Sequence, residues 1–331
     1  MKLRELGQSG LKVTPIGLGL AALGRPGYIN LGHAQDLDEN YGVNQMEAHT
    51  HAVLDAAWDA GIRYFDAARS YGRAEQFLAS WLRSRGIEPG QVTVGSKWGY
   101  TYTAGWQVEA DVHEVKEHSL PVLQRQIGES RDLLGGQLDL YQIHSATLKS
   151  GVLENRPVLD ELARLRERGL RIGLSLSGEK QAETLRRALA VRYDGALLFD
   201  TVQATWNLLA RSVESALQEA HAAGMGVIVK EALANGRLTP RNDSPAFAAQ
   251  MALLQEVAGE KGTTVDALAL AAVLARPWTG LVLSGAAQIE HLHSNVGALD
   301  IDWDDETEER LAALAEPPAA YWATRSALPW N

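Results

Sequence analysis

Along this chain an amphipathic helix repeatedly stops at a glycine, and a short apolar strand follows at once. Val53, Leu54, Ala57 and Trp58 keep one helical face apolar, Gly61 breaks it, and Ile62 to Asp66 reads as a strand. Leu159, Leu162 and Leu165 precede Gly169 and the strand Arg171 to Ser175. Val213, Ala216, Leu217 and Ala220 precede Gly224 and Val227 to Val229. Glycine suits the end of a helix because it takes positive φ without a Cβ clash. Looser versions complete the series. Phe77, Leu78 and Trp81 lead through Gly86 to Val92-Thr93-Val94. A helix from Ser119 to Leu134 ends at Gly135-Gly136, before Leu138 to His144. Leu185 and Leu189 lead by Gly195 to Thr201-Val202-Gln203. Thr263 with Asp266 reads as a capping box for a helix through Leu274, and Pro277 to Gly280 turn into Leu281-Val282-Leu283.

Those seven units, with a strand over Val13 to Gly17 before them, make eight strands. Strands alternating with helices imply parallel pairing through right-handed crossovers. Eight of them fit an α/β fold of the closed (β/α)8 TIM-barrel type, which leaves no sheet edge open. An open doubly wound sheet is the alternative, but no glycine-rich phosphate loop opens a helix after the first strand. The reading is one barrel domain over residues 1–331, with the residues before Thr14 and after about Leu311 as appendages, the tail lying over the mouth.

Composition narrows the partners. With 31 basic and 41 acidic residues the net charge is −10, which disfavours nucleic acid and an anionic membrane surface. The absence of cysteine removes thiolate nucleophiles and Cys-ligated metal sites. Met1 to Val13 lacks the apolar core of a signal peptide, and no apolar run is long enough to span a bilayer, so a soluble cytoplasmic protein is expected. Three apparent motifs fail. His113 to His118 resembles a zinc-protease helix, but its histidines stand five positions apart instead of four, so they read as solvated polar residues and no metal is expected. Gly90 to Lys97 lacks the ending of a phosphate loop, and Gly17-Leu18-Gly19 has no third glycine until Gly24. The acidic run Asp300 to Glu309 reads as a solvated helix start.

In barrel enzymes chemistry sits at the C-terminal ends of the strands. Asp66 ends the second strand with Tyr71 in its loop, Lys97 ends the third, and His144 ends the fourth. Alone, each is explained by an ion pair or by packing. Together they suit one reaction. A phenol is a poor acid, with a pKa of about 10, and a nearby ammonium favours its phenolate. Asp66 would hold Lys97, and His144 could donate to a carbonyl oxygen. The four would deliver a proton to an oxygen as a hydride reaches its carbon, and the hydride requires a nicotinamide cofactor.

The sequence resembles the aldo-keto reductase family nearly end to end. The matching pieces are Leu3 to Val13 with Ile16 to Gly19, then Ala60 to Gly72, Ser96-Lys97, and Leu140 to His144. The resemblance implies a barrel, NAD(P)(H), and a tetrad in which Tyr71 is the acid/base, Lys97 and Asp66 tune it, and His144 orients the carbonyl. It also implies a cofactor track through Gly19, Ser175, Gln203, Lys230, Leu233, Gly236, Arg237, Ser284, Gly285, Gln288, His291 and Asn295. The sequence departs from the family at Leu176, where an asparagine would follow the serine, and at Lys230, where an aromatic would stack on the nicotinamide. No Lys or Arg stands between Leu283 and Asn295 to grip a 2′-phosphate, so NAD is expected over NADP, with Arg237 as the residue that could reverse this.

Trp98, Tyr100, Trp206 and Trp322 are the expected substrate pocket, a set of aromatics suited to a sugar face or planar carbonyl. Leu54 to Asp66 resembles the family's NAD-linked sugar dehydrogenases, which favours a sugar or polyol. The expected function is interconversion of an aldehyde, ketone or sugar carbonyl with its alcohol. The rival from another class is a cofactor-sensing regulatory protein on the same barrel, like the potassium-channel beta subunits. A third is elimination or isomerisation without net redox.

Overall fold

The computed structural model describes residues 1–331. Eight parallel strands close a barrel: β1 Ile16–Gly19, β2 Tyr64–Asp66, β3 Thr93–Trp98, β4 Leu138–Ala146, β5 Arg171–Leu176, β6 Thr201–Thr205, β7 Gly226–Lys230 and β8 Leu281–Ser284. They pair in sequence order, and β8 closes onto β1. Eleven helices are named in chain order: α1 Val43–Asp59, α2 Ala74–Ser84, α3 Leu120–Leu134, α4 Arg156–Glu167, α5 Gln181–Leu189, α6 Glu214–Ala222, α7 Ala248–Glu260, α8 Val265–Leu274, α9 Ile289–Val296, α10 Asp305–Ala312 and α11 Pro318–Ser326. This is the (β/α)8 barrel that the helix–glycine–strand pattern predicts, with every expected helix preceding its strand. No helix is long and apolar enough to cross a membrane.

The largest apolar cluster fills the space between strands and helices, while Leu6, Val13, Tyr64, Leu140, Ile228, Leu281 and Leu283 form a second one. Leu6 and Val13 reach it from a hairpin of Arg4–Glu5 with Lys12–Val13. Two glycines let that hairpin approach β7. A Cβ on Gly7, where φ is +58°, would lie 2.4 Å from the Gly226 nitrogen, and one on Gly226 would lie 2.6 Å from Leu6 Cγ. Burying Leu6 and Val13 there contributes roughly 1.5–3 kcal/mol each.

The structure differs from the sequence reading at several places. Val13 belongs to the hairpin, and the barrel strand begins only at Ile16. Helix α7 is unforeseen, because its alanine-rich segment carries no clear apolar stripe. The cap of α8 is Thr264, which accepts from the Ala267 N–H, while Asp266 accepts from Asn295 Nδ2 at 2.8 Å. His113 to His118 is not helical. Glu114–Lys116 pairs antiparallel with Tyr100–Tyr102, and the two histidines are part-buried rather than solvated. His113 stacks on Trp330 with centroids 3.9 Å apart, and His118 Nε2 lies 2.8 Å from the His144 carbonyl oxygen. No group of three or more His, Cys, Asp or Glu is placed to hold a metal ion. The acidic run does open a helix, α10, with Asp304 capping it through the Thr307 N–H at 2.8 Å.

Candidate active site

Parallel register brings the strand ends to one level: Gly19 stands beside Asp66, Asp66 beside Gly95, and Lys97 beside Gln142. Asp66 is 2 % exposed and Lys97 is 0 % exposed, so neither charge has water for a partner. They pair with each other. The remaining lone pairs of Asp66 are also used, because Oδ1 accepts from Gln203 Nε2 at 3.1 Å and from Tyr64 Oη and Gln142 Nε2 at 3.3 Å. Such full satisfaction is what a buried ion pair requires. A Cβ at Gly95 would meet Tyr64 Oη at 2.6 Å and Asp66 Oδ1 at 3.4 Å, so a glycine there leaves room for this network.

Lys97 Nζ donates to the Ala67 carbonyl at 3.0 Å and to Tyr71 Oη at 3.3 Å. Burial and Asp66 together push the Tyr71 phenol well above its ordinary value, with Arg25 pulling the other way. Burial thus outweighs the lowering expected from a neighbouring ammonium, and Tyr71 carries its proton at neutral pH. The Tyr71 and His144 rings meet edge to face at 5.4 Å. Burial first, then Lys97 and Arg25, hold His144 well below its ordinary value, so it is neutral. Ser70 Oγ lies 3.3 Å from His144 Nδ1. If that hydroxyl donates, the ring proton sits on Nε2.

Asp66, Tyr71 and His144 line a cavity of about 660 Å³, with Lys97 behind them. Of the expected cofactor residues, Gly19, Gln203, Lys230, Leu233, Gly236, Ser284, Gly285, His291 and Asn295 also line it. A Cβ at Gly285 would meet nothing within 4 Å, so that wall is open. Three do not line it. Ser175 Oγ accepts the Ser145 N–H at 2.8 Å, where β4 bulges after His144, and Ser177 takes the place on the wall. Arg237 is tied to Glu316. Gln288 donates its side-chain amide to the Asp36 carbonyl.

Among the expected substrate aromatics only Tyr100 is on the cavity wall. Trp98 is fully buried against His118, with centroids 5.6 Å apart. Trp206 packs in the core against Trp278 at 5.6 Å and donates to Glu214. Trp322 is buried beside Tyr321. Each has the size that a core fills first, and aromatic type alone does not say which way a ring points. The aromatics at the mouth besides Tyr100 are Tyr28 and Trp330.

The structure adds charged groups that the sequence reading missed. Arg25, in the loop after β1, donates to the Ser70 carbonyl at 3.0 Å and to Glu114 at 3.1 Å. Its guanidinium lies about 5 Å from the rings of Tyr28, Tyr71 and Trp330, at 5.2, 5.3 and 4.9 Å. Its position one loop beyond a barrel strand is the signal that could have found it. Lys230 does not stand free. Its Nζ donates to Thr205 Oγ1 at 2.7 Å and lies 3.5 Å from Glu231, which Arg325 also engages at 2.7 Å. Burial works to raise the Glu231 carboxyl, but Lys230 and Arg325 hold it down at about 2. Glu231 sits at φ 54°, a left-handed conformation costly for a side chain of this kind.

Comparison with known proteins bears on the family and the fold. The profile of the family described as "Aldo/keto reductase family" matches residues 15–316. The chain is 27% identical over 336 residues to aldo-keto reductase str7 of Strobilurus tenacellus, covering 95% of this chain and 91% of that protein. A pyridoxal 4-dehydrogenase of Microbacterium luteolum is 30% identical over 162 residues, covering 43% of this chain and 42% of that one. Among solved structures, the holo form of aldo-keto reductase AKR11C1 from Bacillus halodurans superposes with a TM-score of 0.72 at 21% identity, covering 96% of this chain and 97% of that one, a likeness of fold.

Proposed function

The chain belongs to the aldo/keto reductase family, and from that membership we propose that this oxidoreductase interconverts a polar carbonyl compound and its alcohol, with Tyr71 as the proton donor or acceptor. The observation that carries the reading is the 3.3 Å contact of Lys97 Nζ with Tyr71 Oη, beside the His144 ring on the wall of one cavity. NAD(P)(H) fits that cavity in size and in lining: a glycine wall at Gly19 and Gly285, amide and hydroxyl groups at Gln203, Ser284 and Asn295, and room beside the tetrad. When bound, the nicotinamide supplies or accepts the hydride.

In the reductive direction His144, neutral and with its proton on Nε2, donates to the carbonyl oxygen and polarises it. Tyr71 passes its proton to that oxygen as negative charge builds there. Lys97 then stabilises the phenolate left behind, and Asp66 keeps the ammonium in place. General acid help of this kind contributes roughly 10²–10⁴ in rate. Oxidation reverses each transfer.

The mouth supports a polar, hydroxyl-bearing substrate. Arg25 with Glu114 and Arg325 with Glu231 are paired, so they offer fixed donors and acceptors with little net charge, and Tyr28, Tyr100 and Trp330 offer ring faces. The experiment is a titration with NADH and NADPH, followed by a screen of aldehydes, ketones and sugars by nicotinamide absorbance. Turnover that disappears in Tyr71→Phe supports the reading. Cofactor binding without turnover on any class would point to a cofactor-sensing protein, and no cofactor binding would overturn the proposal.

A further inference from the structure

Across the barrel mouth from the tetrad, the loop after β1 is strapped to the loops after β7 and β8. The Leu31 N–H donates to the Asn235 carbonyl at 3.1 Å, and Asn235 Nδ2 donates to the Ile29 carbonyl at 2.9 Å. Arg241 Nη1 donates to the carbonyls of Leu31 and Gly32 at 3.2 and 3.0 Å. The same guanidinium holds the Asp36 carboxylate with both ends, Nη1 at 2.9 Å from Oδ2 and Nη2 on Oδ1. The Asp36 side chain is 4% exposed, and His291 Nδ1 lies 3.7 Å from its Oδ1. Asp36, Arg241, Asp266, His291 and Asn295 all line the cavity at this end.

We propose that Asp36 makes this end of the cavity selective for NAD(H) over NADP(H), by accepting an adenosine ribose hydroxyl and by keeping Arg241 from a 2′-phosphate. The proposal rests on the reading of the cavity as a nicotinamide dinucleotide site. A 2′-phosphate brings close to two negative charges and needs charge-assisted donors. Arg25, Lys230 and Arg325 are held by partners near the tetrad, and Arg237 is tied to Glu316. Arg241 is therefore the guanidinium at this end, and two carbonyls and both Asp36 oxygens already occupy it. Asp36 holds that one guanidinium and a second carboxylate, Asp266, lines the same end of the cavity, so a phosphate entering here meets a site whose cation is spent and whose surplus charge repels it. A ribose hydroxyl meets the opposite situation. It donates to a fixed carboxylate, which has lone pairs left after two guanidinium bonds.

The selectivity thus comes from a residue on the first βα loop, 205 positions away from its partner Arg241. The test is titration of tryptophan fluorescence with NADH and NADPH, which reads binding without turnover. Wild-type protein is expected to bind NADH roughly tenfold or more tightly than NADPH, the size of one charge-assisted contact. Asp36→Asn keeps the shape but frees Arg241, so NADPH affinity rises and the ratio falls by a similar factor. Adding Arg241→Gln to Asp36→Asn removes the NADPH gain. Arg241→Gln alone leaves the carboxylates without their cation, so it gives no NADPH gain and the ratio does not fall, which keeps the proposal testable should Asp36→Asn unfold. Equal or tighter NADPH binding by wild type, an unchanged ratio in folded Asp36→Asn, or a gain of NADPH affinity in Arg241→Gln overturns the proposal. Failure of wild type to bind either dinucleotide overturns the reading beneath it instead.

Discussion

Lys97 Nζ lies 3.3 Å from Tyr71 Oη, with its other donors spent on the Asp66 carboxylate and the Ala67 carbonyl. The ammonium is thereby aimed at the phenol and cannot turn elsewhere. Tyr71→Phe removes the proposed proton donor while leaving the Asp66–Lys97 pair in place. A fall in kcat of roughly 10²–10⁴ is expected, with NADH affinity and melting temperature unchanged. Lys97→Met should fail differently. It leaves Asp66 buried without its cation, which costs about 3–5 kcal/mol, so the variant loses stability along with turnover. Stopped turnover assays, cofactor titration and a thermal melt on each variant check both statements. A Tyr71→Phe enzyme with wild-type kcat would remove the phenol from the mechanism.

Ser70 contacts the His144 ring at Nδ1. Its Oγ is 3.3 Å from Nδ1, and its carbonyl accepts from Arg25 at 3.0 Å. A hydroxyl donating to Nδ1 selects the tautomer that presents an N–H to the carbonyl oxygen. Ser70→Ala leaves both tautomers open and should lower kcat by about tenfold, a modest share of a general-acid effect. Cofactor affinity is expected to stay the same. Unchanged kcat in Ser70→Ala would show that the tautomer is set by other contacts.

After α11, Leu328 and Trp330 line the cavity. Trp330 stacks on His113 with an interplanar angle of 8°, and Tyr28 and Asn331 exchange two backbone hydrogen bonds of 3.0 and 3.2 Å. Trp330 also lies 4.9 Å from the Arg25 guanidinium. Trp330→Ala removes a ring face from the mouth and one side of the Arg25 cage. A rise in KM of roughly tenfold is expected, since aromatic contacts of this kind are worth about 0.5–1.5 kcal/mol each. The dissociation constant for NADH should not move. A variant with weakened NADH binding and unchanged KM would place Trp330 on the cofactor instead.

The barrel was legible because each helix ends where a glycine permits it and each strand begins at once, a pattern that Gly61, Gly169 and Gly224 punctuate. The tetrad was legible for a related reason. Asp66, Lys97 and His144 are polar residues at the ends of apolar strands, where burial makes them costly without a purpose. Contacts between distant segments were not legible. Nothing in the spacing of Asp36 and Arg241 marks them as partners, and Ser175 has the right residue type yet turns to the Ser145 N–H. The misread aromatics failed on orientation, because Trp98, Trp206 and Trp322 are as well suited to a core as to a pocket. The histidines at 113 and 118 failed on secondary structure, since Glu114–Lys116 gains strand pairing to Tyr100–Tyr102 that no local signal announces.

His33, His118 and His144 weaken the fold in acid. Burial lowers His33 and His118 to about 4, against an ordinary value of 6.5, and His144 is also held well below it. Between pH 6.5 and about 4 the unfolded chain binds protons at these rings that the folded chain does not. Stability therefore falls as pH falls through that window, by about 1.4 kcal/mol per pH unit for each histidine at most. Asp139 acts in the opposite sense. Burial raises its carboxyl to about 6 from 3.8, so the folded chain holds the extra proton there, and this group stabilises the fold as pH drops below about 6. One carboxyl offsets one histidine, and a net loss of stability remains. His33 provides the test, because it is fully buried and its ring packs edge to face on Tyr28 at 5.9 Å. His33→Phe keeps the packing and removes the titration. Urea unfolding at a series of pH values should give a shallower decline below pH 6.5 for the variant, with little difference above it. A variant whose stability runs parallel to wild type down to pH 4 would show that His33 does not drive the acid limb.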